Sequence, residues 1–276
     1  MRVQGLGVTR GTVSTQSLPT YKKPPVVEVV CGVTFDPIPD FTVPLVGKFW
    51  MEVLGGFKVA GERPPLANQI EVLDRGAGVT LFGDLFLPMP RVWLENPTGN
   101  QIVQIQRDRF LCNWRKTEAA HEYPRFGMVN GFFKEKLAEF EAFVGRTCGQ
   151  KVVPRQFELT YVNHLASTPE GSNNAGNIGT LLPDFSWRKN ASRFLPEPED
   201  ADLNLAFLLP DKAGRLRAKV QTAQLVKGRA QIVLLDLTAR GFSPDREKWF
   251  ELAHTWIVKG FEDLTSSTMN AAWEKQ

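Results

Sequence analysis

Two glutamates hold matching places in two similar stretches of this chain, 130 positions apart. EVVCGVTF begins at Glu28 and ELTYVNHL begins at Glu158. Around the first, Val27, Val29, Cys31, Val33 and Phe35 alternate with other residues at period two; around the second, Phe157, Leu159 and Tyr161 do the same. Such alternation marks a strand with one face in a core. A second pair follows the same offset. QIVQIQ begins at Gln101 and QIVLLD at Gln231, each after a glycine-containing turn, NPTGN at 96–100 and VKGRA at 226–230. Two matches at one offset point to an internal duplication.

The elements between these strands repeat as well. Thr42 is placed to cap a helix with Pro44 in its first turn, carrying Leu45, Phe49 and Val53 on one face and stopping at Gly55-Gly56. Short strands are expected at 69–73 and 91–95, and a single long strand from Gln101 through the run QIVQIQRDRF. Phe133, Leu137, Phe140 and Val144 mark a helix over 125–146. The second half reads as a strand, one helical turn near 178–182, three strands, and a long helix bearing Trp249, Ala253, Trp256, Gly260 and Leu264, capped by Ser243. The expected fold is α+β. Duplicated β-α-β-β-β-α units join in one continuous antiparallel saddle with all helices on one face, the layout of the TATA-binding-protein-like or helix-grip class. The expected boundaries are a flexible extension over 1–17, a first unit over 18–150 and a second over 151–276, the two units fused into one body.

Composition narrows the function classes. The net charge is +3 over 276 residues, too slight to imply nucleic-acid binding unless the basic residues are clustered. The three cysteines, Cys31, Cys112 and Cys148, have no metal-site spacing, and the first two sit in apolar runs as buried thiols. A reducing cytoplasm is the expected compartment. No run is long enough for a membrane span, and the N-terminus has no signal-peptide core. GxGxxG, Walker, GxSxG and HExxH motifs are absent, and no catalytic residue, metal or cofactor is assigned. The histidines, His121, His164 and His254, are far apart; His254 shares a helical stripe with Phe250, Ile257 and Phe261 and reads as a core-edge residue.

Charged residues inside apolar runs are the candidates for a site. Arg107, Asp108 and Arg109 interrupt the strand that begins at Gln101, and Glu28 and Glu158 interrupt theirs. One reading is an ion network that fixes strand register, with Glu28 and Glu158 as its carboxylates. The other is an anion or base pocket built from Arg107, Asp108, Arg109, Asn113, Trp114, Arg115, Tyr161, Asn163 and His164. Arg215, Arg217 and Lys219 line one face of a strand, with Lys227 and Arg229 in the following turn. They form either a phosphate-tracking stripe or a solvated face.

PTYKKPPVVEVVCGVTF, QIQRDRFLCNWRK with the following YPRF, FELTYVNH and the C-terminal FELAHTWIVKGFEDLT resemble a sporadically distributed bacterial protein family, over a span from about Leu18 to Trp273. The resemblance implies no activity, cofactor or catalytic residue; the patchy distribution resembles that of toxin–antitoxin or anti-phage genes. The leading expectation is non-enzymatic recognition of a protein, a nucleic acid or a small ligand on the polar sheet face. A defence or toxin–antitoxin component acting by protein contact is the second. An enzyme using Arg107, Asp108, Tyr161 and His164 is the third, and requires those four side chains to converge. No membrane partner is expected, and homodimerisation through sheet edges is left open.

Overall fold

The computed structural model of the chain describes residues 17–276 except for 68, 74–77, 82–88, 119–121, 167–177, 188–192, 197, 199 and 225–230. The extension expected over 1–17 therefore lies, apart from Ser17, outside the described residues. In chain order the elements are β1 (Val26–Phe35), α1 (Val43–Val53), β2 (Lys58–Arg63), β3 (Gln69–Val72), β4 (Gly78–Leu81), β5 (Arg91–Glu95), β6 (Gln101–Gln106), β7 (Arg109–Arg115) and α2 (Phe126–Cys148). They continue with β8 (Pro154–Ala166), α3 (Ile178–Leu181), β9 (Asp202–Leu208), β10 (Gly214–Gln224), β11 (Gln231–Gly241), α4 (Arg246–Leu264) and α5 (Ser267–Ala272).

Nine strands make one antiparallel sheet in the order β2-β5-β6-β7-β1-β8-β11-β10-β9, and β3 pairs with β4 in a separate hairpin. The fold is thus α+β, with nine strands in the main sheet and five helices among the described residues. Alternation decides which face is covered. Val29, Cys31, Val33 and Phe35 of β1 are fully buried, as are Leu159 of β8 and Leu235, Leu237 and Ala239 of β11. All belong to one core with Phe133, Leu137 and Phe140 of α2 and Phe250, Ala253 and Ile257 of α4. Burying these two helical stripes on one sheet face supplies the main driving force. Cys31 and Cys112 are cross-strand partners in this core and both are free thiols. Among the described residues no helix is long and apolar enough to cross a membrane.

The run QIVQIQRDRFLCNWRK is two strands, not one. Gln106 of β6 pairs with Arg109 of β7, so Arg107 and Asp108 form a two-residue hairpin turn. Both turn carbonyls are held from the end of β1: Phe35 N–H donates to Asp108 O at 2.9 Å and Ile38 N–H to Arg107 O at 3.3 Å. The turn contains no glycine or asparagine, so it lacks the usual hairpin signature. Its trace in the sequence is a phase break. The positions that join the helix-side core are odd before it, Val103 and Ile105, and even after it, Phe110, Cys112 and Trp114.

This hairpin changes the relation between the halves. β6 lies two strands from the centre beyond β7, whereas β11 lies next to β8. The two QIV strands therefore occupy different places in the sheet. The offset of 130 holds at the centre, where Val30 pairs directly with Thr160, the residue 130 positions on. By sheet position β7 matches β11, and the register places Arg115 opposite Glu28 and Arg240 opposite Glu158.

Smaller differences from the expected elements have local causes. Thr42 caps α1 without a side-chain bond. The cap of α4 is Asp245, which accepts from Lys248 N–H, while Ser243 accepts from Asp245 N–H one step earlier. The segment around Tyr21 clasps the C-terminal residues. Tyr21 bridges to Lys275, Thr20 and Gln276 exchange backbone bonds, and Tyr21 Oη donates to Asn270 Oδ1 at 2.6 Å.

Candidate functional site

The helix-free face of the sheet is polar, and part of it is already occupied by the chain itself. Residues 66, 67 and 69–72, which include β3, cross it as a strap. Two glutamine side chains hold the strap as another strand would. Gln106 accepts from Leu66 N–H at 3.0 Å and donates to Leu66 O at 3.1 Å. Gln156 accepts from Glu71 N–H at 3.0 Å and donates to Gln69 O at 2.9 Å. Arg109 donates to Ala67 O at 3.2 Å, and Arg215 to Val72 O at 2.5 Å. The buried Glu71 carboxylate then receives Arg215 at 3.2 Å and Arg217 at 2.5 and 2.9 Å.

This accounts for most of the charged residues singled out in the sequence. Asp108 is buried and accepts from Gln106 Nε2 at 2.6 Å. Glu158 lies 2.5 Å from Arg240 Nε. Burial works against the Glu158 carboxylate, but the Arg240 and Arg109 guanidiniums outweigh it and lower its pKa. Glu28 accepts from Asn113 at 2.5 Å, and there burial prevails over Asn113, Arg115 and Arg91, so its pKa is raised. Arg115 turns to Glu95 at 2.7 Å. Arg215 and Arg217 do not form a free cationic stripe, because Glu71 holds both. Lys219, on the same face, acts on Asp236, whose pKa burial raises. Lys227, Arg229 and His121 lie outside the described residues.

The four residues required for an enzyme do not converge. Arg107 and Asp108 sit at the hairpin turn near the C-terminal end of β1. Tyr161 points to the helix side. His164, three residues on in the same strand, points to the opposite face, and pairs with Leu234.

On the helix side lies a cavity of about 450 Å³ between the start of α2, the second half of α4, the sheet and the segment 18–26. Its size is within the range of small-molecule sites. Its apolar walls include Leu18, Pro24, Pro25, Leu237, Ile257 and Phe261. The polar groups facing it are few. Tyr123 and Tyr161 share a hydroxyl–hydroxyl hydrogen bond of 2.7 Å, and burial raises both phenols' pKa values. His254 stacks flat on Phe126, ring centroids 4.1 Å apart, and burial lowers its pKa to about 4. Arg125 is exposed where the cavity opens and donates to Tyr21 O at 3.0 Å, tying the N-terminal wall to the foot of α2. Asn163 donates to Leu235 O at 3.0 Å.

The structure therefore divides the sequence candidates between two faces. Tyr161 and Asn163 reach the cavity, and Trp114 stands behind it against Tyr123, ring centroids 5.4 Å apart. Arg109, Asn113, Arg115 and His164 belong to the other face. Sequence reasoning missed Tyr123, Arg125, Phe126 and the role of His254. The segment YPRF was visible, but only the tertiary fold brings it against α4 and the N-terminal segment.

No family model matches the chain, and no match is found among curated proteins. Among solved structures the chain is similar to DynU16, a protein in the dynemicin biosynthetic locus, at 13% identity and a TM-score of 0.27, covering 91% of this chain and 99% of that one.

Proposed function

We propose that this is a recognition protein, and that it binds a small, largely apolar molecule in the cavity between α2, α4 and the sheet. The single observation that carries this reading is the cavity itself: about 450 Å³, walled by prolines and aliphatic side chains, with a few polar groups facing it. A polar-face site is less favoured, because Gln106, Arg109, Gln156, Arg215 and Arg217 are engaged with the strap. An enzyme site is disfavoured by the separation of Arg107, Asp108, Tyr161 and His164. A ligand held between a long helix and an antiparallel sheet also agrees with a helix-grip architecture.

Duplication of an ancestral unit is part of the same proposal. Its support is the central Val30–Thr160 pair and the matched Glu28/Arg115 and Glu158/Arg240 partners, which replace the QIV match. The test of the binding reading is a fluorescence titration with Nile red, an uncharged apolar probe. The wild-type protein is expected to bind it at one site, and Val258→Trp, which fills the cavity from α4, to lose it while unfolding at a similar temperature. Equal binding by both proteins would remove the cavity as the site.

A further inference from the structure

We infer that the ligand is an apolar carboxylic acid, with its head group at Arg125 and its body between α4 and the segment 18–26. The inference rests on the cavity being the binding site and adds the charge of what enters it. Among the 18 described residues that line the cavity there is one permanent cation, Arg125, and no aspartate or glutamate. Glu262, whose charge is felt at Tyr21, is itself paired with Lys275.

The tyrosine pair and His254 are suited to donate, while Asn163, its Nδ2 bonded to Leu235 O, leaves an acceptor oxygen. In the Tyr123–Tyr161 pair one hydroxyl donates to the other, so one O–H hydrogen is left for a third atom. His254 is held neutral by burial, and a neutral imidazole carries one N–H. Arg125 spends Nη1 on Tyr21 O, and among the described residues no carboxylate pairs with its fork. The start of α2 adds to this field. Arg125 is the N-cap and gives no side-chain cap, Phe126 and Gly127 both line the cavity, and the helix runs for 23 residues behind them. At Gly127 a Cβ would meet nothing within 4 Å, so a ligand atom can approach the backbone there.

A site whose described lining holds one cation, several donors and no carboxylate, enclosed by apolar walls, selects an acceptor-rich anion with an apolar body. It rejects an amine, which would place a second positive charge beside Arg125 and leave the donors unmet. An alcohol of the same length gains the walls but not the charge.

The experiment is displacement of Nile red from the full-length protein at pH 7.5 by dodecanoate, dodecan-1-ol and dodecylamine. Dodecanoate is expected to displace the probe about ten-fold more tightly than the alcohol, and the amine to be the weakest. Arg125→Gln is expected to bring dodecanoate down to the affinity of the alcohol measured on the same variant, and Arg125→Lys to keep the acid preference. Equal displacement by all three, or an acid preference that survives Arg125→Gln, overturns this inference and leaves the cavity reading standing. Failure of Nile red to bind the wild type overturns the cavity reading itself, and the charge inference with it.

Discussion

The hydroxyls of Tyr123 and Tyr161 lie 2.7 Å apart, joining the segment before α2 to the centre of β8 beneath the cavity. Neither phenol is positioned by a charge; each is the partner of the other in a largely apolar setting. Removing one leaves the second buried without its bond. Tyr123→Phe is therefore expected to cost about 1–2 kcal/mol, and the double variant Tyr123→Phe/Tyr161→Phe less than the sum of the two single losses. Urea denaturation of all four proteins measures this; additive losses would show that the hydroxyl pair is not coupled.

His254 should make stability pH-dependent in a defined window. Its folded pKa is about 4 because burial disfavours the imidazolium, against an ordinary value of 6.5. Between these values the unfolded chain binds the proton and the folded chain does not, so stability rises with pH across the window. The contribution is complete above pH 6.5, declines as pH falls toward 4, and changes no further below it. The loss attributable to this group is about 3 kcal/mol. His254→Phe keeps the stack on Phe126 and lacks the titration. The difference between wild type and variant in thermal melts from pH 7 to pH 4 is the measurement, and a pH-independent difference would refute the assignment.

Glu71 is the keystone of the strap. Its carboxylate neutralises Arg215, which is almost fully buried, and Arg217, which is partly so. Glu71→Gln is expected to destabilise the protein by about 3–5 kcal/mol, because Arg215 and Arg217 both lose the Glu71 carboxylate in place. Hydrogen exchange provides a second readout. The Leu66 and Glu71 amides, which donate to Gln106 and Gln156, should lose protection together in this variant. Protection retained at both amides would mean that the glutamines hold the strap without the ion triad.

Gly214 and Gly241 face each other across β10 and β11, and there the backbones leave no space for a side chain. A Cβ on Gly214 would stand 2.1 Å from Arg240 O, and its φ of +149° lies where glycine alone is comfortable. Gly214→Ala is expected to cost about 3 kcal/mol or more. Gly127→Ala, in the first turn of α2 with open space around it, is expected to be neutral or stabilising by up to about 1 kcal/mol. Melting temperatures of the two variants make the comparison, and similar values would contradict it.

Strands whose apolar residues alternate were legible in the sequence. A period of two already states which side of VVEVVCGVTF or FELTYVNHL enters a core, whatever that core is built from. The stripes of α2 and α4 were legible for the same reason. The turn at Arg107-Asp108 was not, because it uses neither glycine nor asparagine. The backbone bonds that stabilise it come from Phe35 and Ile38, far away in the chain. Nor could β2 be read in KVAGER, an edge strand with little apolar burial.

The charged residues show the same division more sharply. By itself the sequence determined that Glu28, Glu158 and Arg109 break into apolar strands and call for other polar groups, since a buried charge is costly alone, whereas Arg215 read as part of a solvated face or a phosphate-tracking stripe. Only the tertiary structure decided who answers. Glu71 and the backbone of residues 66, 67 and 69–72 come from a segment with no strong pattern of its own, and they meet Arg215 and Gln156 across the sheet. The cavity is likewise a product of tertiary placement. Tyr123, Tyr161 and His254 are separated in sequence by long intervals, and each has an ordinary local role. They share one space because β8, α2 and α4 pack on the same sheet face, a relation set by long-range packing rather than by local periodicity.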